Sequence, residues 1–428
     1  MNMSSLTARI ERRTHRLVAI GAAALSGLLT LAAGASEASA GWTCSTFVNS
    51  AVDGGSLQAA SYSGRPHVFY SFWQQQGINP LRVANTTDTH QTMWSHLTLA
   101  GDPALPGQHA GLNLAGKAAT YGTTFYFPYV DHFHGDLRVA YKTTNTGAWT
   151  DIGVDGNGEN IHATIGAEPA AIVFDDKLFI FYATDGFAGS DRVLRVAVYD
   201  GSTWSYQLVD NIGGISKPRP VVHDGKLRVF YRSFGGAGVN VRQAVTTNGT
   251  SWSLSVLDGD GGANGRTTDN VGGDIAVTTY GTLLGGFDLK VFYLNETQKN
   301  LRVADFDGTT FTFSVIDGTG GIASGATSGH IGYGIDAISY GEDLLDWRAP
   351  YVFYTDETNH TLRAAWLNGS SWTAIKVDGA NSGNACSGAV TTTSGVGGPA
   401  VIRGGSGLFV FYTAGSVGTP LRKAEFTP

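Results

Sequence analysis

An arginine comes round seven times along the chain, at Arg82, Arg138, Arg195, Arg242, Arg302, Arg363 and Arg422, at intervals of 47 to 61 residues. Leucine precedes it each time except at Val241. The planar guanidinium fork suits the hydroxyl or carboxylate groups of a ligand, which would give one equivalent site per repeat. It suits equally well a structural ion pair with the aspartate of a neighbouring Asp-Gly turn. Strict repetition is what both readings predict.

Three further sets of residues have the types that chemistry needs. Trp73, Phe133, Phe187 and Phe234 fall between apolar runs, where an exposed ring can lie against the C–H face of a sugar; their other reading is ordinary loop packing. Glu168, Asp274 and Asp336 open runs that would be the innermost strands of three repeats, and a pair of carboxylates there could hold calcium or perform glycosidase chemistry. His109, His132, His134 and His162 gather in one part of the chain, and His132-Phe133-His134 would put two imidazoles on one side of an extended segment, as a transition metal requires. The spacing matches no specific metal signature, and solvated loop histidines are the competing reading.

The elements that must position these groups are strands. Around each arginine the same order recurs: an apolar run ending in tyrosine, a short variable loop, Leu-Arg, an aromatic residue, then Asp-Gly. In Asp274 to Gly318 the alternation predicts strands at 274–280, 289–293, 301–306 and 311–316, separated by Gly, Asn and Asp turns. Runs such as Val291-Phe292-Tyr293 and Val352-Phe353-Tyr354 are almost wholly apolar, as strands buried on both faces must be. Four strands per unit and seven units predict an all-β, seven-bladed β-propeller of four-stranded antiparallel blades. Long connections, such as 102–116, 258–273 and 378–398, should gather at one end of the ring, the default place for function.

Residues 1–40 read as a signal peptide. Arg9, Arg12, Arg13 and Arg16 precede an apolar run, and Ala38-Ser39-Ala40 forms a cleavage site before Gly41. Its loss would move the formal charge from -7 to -9, which argues against nucleic acid or anionic membranes as partners. The domain is then 41–428, secreted and not inserted in a membrane. Six fourth strands open with Trp94, Trp149, Trp204, Trp252, Phe311 and Trp372, and the seventh aromatic is Trp42. The last repeat stops after its third strand. The N-terminal strand should therefore complete the last blade, and the only two cysteines, Cys44 and Cys386, should join there in a disulfide.

The phrase Val291-Phe292-Tyr293, then Leu301-Arg302-Val303-Ala304-Asp305-Phe306-Asp307-Gly308-Thr309-Thr310-Phe311, resembles the repeat of fucose-binding β-propeller lectins. Those lectins hold fucose between adjacent blades with an arginine, a glutamate and an aromatic residue. Here the glutamate position is Val303, with Val or Ala in most other repeats, and the second-strand arginine has a counterpart only at Arg228. The resemblance implies a lectin scaffold without specifying fucose. Asp200-Gly201-Ser202-Thr203-Trp204 also resembles the Asp-box turn of sialidase propellers, one residue short.

The functional expectation is a multivalent carbohydrate-binding protein with glycans or glycoconjugates as partners, since near-identical blades multiply weak sites into avidity. The alternatives are a secreted glycoside hydrolase or lyase with one axial site at Glu168, Asp274 and Asp336, and a protein-interaction scaffold. No cofactor is expected, with calcium bound in the glycine- and aspartate-rich loops as the alternative.

Overall fold

The computed structural model describes residues 41–72, 80–86, 93–100, 116–131, 134–156, 164–185, 192–234, 238–281, 287–341, 349–380, 383–388, 396–404, 407–415 and 419–427. Every named element is a strand. Blade 5 shows the plan: Val271–Gly281, Phe287–Asn295, Asn300–Phe306 and Phe311–Asp317 pair antiparallel in chain order, from the innermost strand to the outermost. The strand-rich reading of this unit holds, with each run extended by up to a few residues at its ends.

Seven such blades form the propeller, and strand Gly41–Tyr62 serves two of them. Its first part is the fourth strand of blade 7, where Trp42 lies opposite Phe426 and Cys44 opposite Ala424. Its last part is the first strand of blade 1, where Ala60 lies opposite His67. Cys44 is bonded to Cys386 with a Cα–Cα distance of 5.6 Å. Closure by the N-terminal strand leaves no open blade.

The core is a ring of blade-to-blade interfaces. One apolar cluster joins Phe292, Leu294 and Val303 of blade 5 to Ile335, Val352 and Tyr354 of blade 6. Another joins Phe179, Phe181 and Val196 of blade 3 to Leu227, Val229 and Tyr231 of blade 4. Both faces of each middle strand are covered, which is why these strands do not alternate.

One irregularity recurs in every blade. Opposite the Leu-Arg step the fourth strand carries an extra residue: Arg302 pairs with Val315 but Leu301 with Asp317. The same shift occurs at Leu81/Arg82, Leu137/Arg138, Leu194/Arg195, Val241/Arg242 and Leu362/Arg363, and opposite Arg422 between Thr46 and Val48. Side chains alternate along a strand, so one extra residue reverses which face the next one takes. Here Ile316 goes into the core and Asp317 faces the next blade, with both residues fully buried.

Candidate functional site

The bulge explains the repeated arginine. In all seven blades the arginine lies directly opposite a second-strand tyrosine, from Tyr70 and Arg82 to Tyr412 and Arg422. Blade 2 fills its slot with Tyr129. In blades 4 to 7 both side chains converge on the bulge aspartate of the preceding blade. Tyr293 Oη donates to Asp258 Oδ2 at 2.6 Å and Arg302 Nε to the same oxygen at 3.0 Å. Tyr231 and Arg242 hold Asp210, Tyr354 and Arg363 hold Asp317, and Tyr412 and Arg422 hold Asp378. Tyr182 bonds Asp155 in the same way.

The aspartate also organises the long loop that follows it. Asp317 Oδ1 accepts from the amides of Gly318 at 2.8 Å and Thr327 at 2.6 Å. The loop returns the favour through Gly325, whose carbonyl accepts from Arg363 at 2.6 Å. Gly325 has φ +81°, and a Cβ there would meet the Ala374 carbonyl oxygen at 2.3 Å, so no larger residue fits. Burial pushes the Tyr293 and Tyr354 phenols well above their ordinary pKa, reinforced by the adjacent carboxylates. Arg242, Arg302, Arg363 and Arg422 are thus interblade fasteners. Arg138 differs and pairs with Asp151 of its own blade at 2.8 Å.

The axial acids are also heavily engaged. Arg219 donates to Glu168 at 2.6 Å, and Lys217 lies 3.3 Å from Asp274 and 4.0 Å from Glu168. Asp274 Oδ2 accepts from the amides of Gly334 and Ile335 in the next blade. Lys117 of blade 2 reaches Asp336 of blade 6 at 2.6 Å, and Asp336 Oδ2 takes the Val401 amide of blade 7. Burial opposes the charge on Asp274, but Lys217 and Arg219 outweigh it and hold the carboxyl below its ordinary pKa. The three acids therefore face three bases.

Of the aromatic candidates, Phe234 is half exposed, with the Arg232 guanidinium 4.0 Å from its ring centre. Trp73, Phe133 and Phe187 lie outside the described residues, as do His109, His132 and His162. His134 pairs with Asp131 at 2.7 Å. Among the described residues no group of three or more His, Cys, Asp or Glu is set to hold a metal.

The most distinctive site involves residues outside the main candidate sets. A cavity of about 470 Å³ lies between blades 4 and 5, where Ala263, Asn264 and Arg266 of the long connection 258–273 meet the tight turn at Gly308–Thr310. Arg228, Gln243 and Arg266 line it together with Phe306, Phe311 and Phe313. Arg228 is only 7% exposed, with its guanidinium 4.6 Å from the centre of the Phe306 ring. Three of the lining polar atoms, Arg228 Nε, Arg266 Nε and Gln243 Oε1, are buried without a hydrogen-bond partner. An unmade bond of this kind costs about 1–3 kcal/mol, and more on a charged group. Burial lowers the pKa of Arg228, and the nearby Asp224 offsets this only in part. Besides the second-strand arginine at Arg228, the sequence held a further signal for this site. The residue after the repeated arginine is Val or Ala in five repeats, and Gln243 is one of the two exceptions.

Solved structures similar to this chain include the six-bladed fucose-recognising lectin of Aleuria aurantia, at 16% identity and TM-score 0.44, over 77% of this chain and 96% of that one. The α-L-arabinofuranosidase Arb93A of Fusarium graminearum gives 13% and 0.49, over 73% and 93%. Trypanosoma rangeli sialidase gives 11% and 0.49, over 89% of this chain and 55% of that one. No family model and no curated protein matches the chain.

Proposed function

We propose that the chain is an exported, lectin-like carbohydrate-binding protein and that the pocket between blades 4 and 5 holds the sugar. The observation that carries this is the unmet hydrogen bonding beside aromatic rings. A hydroxyl group both accepts and donates, so one ligand can satisfy the donors at Arg228 and Arg266 and the acceptor at Gln243. Phe306, Phe311 and Phe313 supply the apolar wall that a sugar ring needs. Arg228 is also the position at which the resemblance to fucose-binding lectins carries over a second-strand arginine, and Gln243 stands where those lectins have glutamate.

Hydrolysis at the axis is less well supported, because Glu168, Asp274 and Asp336 are already met by cations and amides. Multivalency through the repeated arginine is less well supported, since four of the seven hold carboxylates of neighbouring blades. Export is supported by the leader-like residues 1–40 and by the disulfide.

The test is a glycan array with residues 41–428 and with the Arg228→Met variant. Binding to a defined sugar class, lost in the variant at an unchanged melting temperature, is the expected result. Chelator should leave the signal intact, because no carboxylate is among the described residues that line the pocket. A blank array for the unaltered protein overturns the proposal.

A further inference from the structure

We infer that the ligand of the pocket between blades 4 and 5 is an anionic sugar, one that carries a carboxylate or a sulfate. This rests on the proposed function and deepens it. Lys226, Arg228 and Arg266 line the pocket, and among the described residues no Asp or Glu does. Two carboxylates act on it from outside the lining, and a third turns away. Asp260 holds Arg266. Asp224 sits 3.5 Å from His223. Asp307 turns into its own loop and accepts from the Thr309 and Thr310 amides at 2.8 and 2.7 Å.

Arg228 decides the matter. Every other buried cation described above has a partner: Arg219 has Glu168, Arg302 has Asp258 and Arg363 has Asp317. Arg228 has the Phe306 ring on one side and no hydrogen bond to its buried Nε. Asp224 offsets this burial only in part and makes no ion pair with the guanidinium, and an anion delivered by the ligand removes the remaining cost through a charge-assisted fork. Gln243 fits the same logic. A glutamate there would neutralise Arg228 and repel an anion. The amide keeps an acceptor for a hydroxyl without the charge, and its Nε2 is held by Ser255 Oγ at 3.1 Å. The chain as a whole is acidic, with a formal charge of -7, so this basic pocket is a local exception and not a reflection of composition.

The experiment is calorimetric titration of the full protein with three probes: methyl galactoside, its uronic-acid counterpart methyl galacturonide, and its 6-sulfate. The expected result is at least tenfold tighter binding of one or both anionic probes than of the neutral parent, weakening as salt is raised. Preference for the carboxylate or for the sulfate names the source of the charge. Arg228→Met should abolish the preference. Gln243→Glu should reverse it, weakening the anionic probes while sparing the neutral one, which a general loss of folding would not do. Equal affinity for all three probes, unchanged in Gln243→Glu, overturns the anionic assignment and leaves the sugar-binding reading intact. If none of the three binds, and the glycan array is blank as well, both readings fall.

Discussion

The joint between blades 5 and 6 and the joint between blades 1 and 2 are built from the same repeat and held in opposite ways. At the first, Asp317 crosses to Tyr354 and Arg363 and caps two loop amides, with none of its surface exposed. At the second, the bulge position is Ala100, opposite Leu81. Among the described residues no carboxylate crosses there, and a cavity of about 630 Å³ stands beside Tyr129 and Arg138. Aromatic packing takes over instead. Phe69 stacks on Phe127 at 3.6 Å and Tyr62 on Phe125 at 5.0 Å. A buried Lys142 meets His67 Nε2 at 2.6 Å, 4.7 Å from the centre of the Trp149 ring. His67 Nδ1 lies 3.0 Å from the Arg65 carbonyl and donates to it, so Nε2 accepts from the lysine. The lesson is that the bulge and the alternating pattern make the joint, while the charged fastener is an addition that one joint can lose if aromatic surface replaces it.

The largest effect should come from the fastened joint. Asp317→Ala leaves Arg363 buried and unpaired and should cost about 3–5 kcal/mol in urea unfolding. A loss under 1 kcal/mol would mean that the ionic joint contributes no more than its packing. Next comes closure of the ring. The double variant Cys44→Ser/Cys386→Ser should lose about 2–5 kcal/mol, read as a lower melting temperature that reductant no longer changes.

The joint between blades 1 and 2 should reveal itself through pH. Burial lowers Lys142 to about 8. Between roughly pH 8 and the usual lysine pKa near 10.4 the unfolded chain keeps a proton that the folded one has released, so stability rises with pH there. The rise should be about 1–3 kcal/mol after screening, and Lys142→Met should flatten it. Burial, and then the charge of Lys142, hold His67 down to about 3. Its contribution is complete above about pH 6.5 and lost as the pH falls toward 3. Fluorescence melts across pH that show no difference between Lys142→Met and the parent would refute this account. The smallest effect is a repair. Ala100→Asp installs the missing carboxylate beside Tyr129 and Arg138 and should stabilise by about 1 kcal/mol. A destabilised variant would show that the open joint cannot take the fastener.

Much of the architecture was legible in the chain because it rests on local, repeated signals. Turn residues, tyrosine-terminated apolar runs and the placement of Trp42 ahead of Cys44 were enough to anticipate seven blades, the closing strand and the Cys44–Cys386 bond. The roles of polar residues were not legible in the same way. Arg302 and Arg228 are both arginines on strands of neighbouring blades, and no local feature says that one meets Asp258 and the other meets none. Glu168 and Asp336 looked like free axial acids until Arg219 and Lys117 arrived from other blades, the latter 219 residues away. Spacing along the sequence determines strands, bulges and which residues share a face, since those depend on near neighbours. Which charges are paired, and which are left buried and waiting for a ligand, depends on residues brought together from different blades, and only the closed ring decides that.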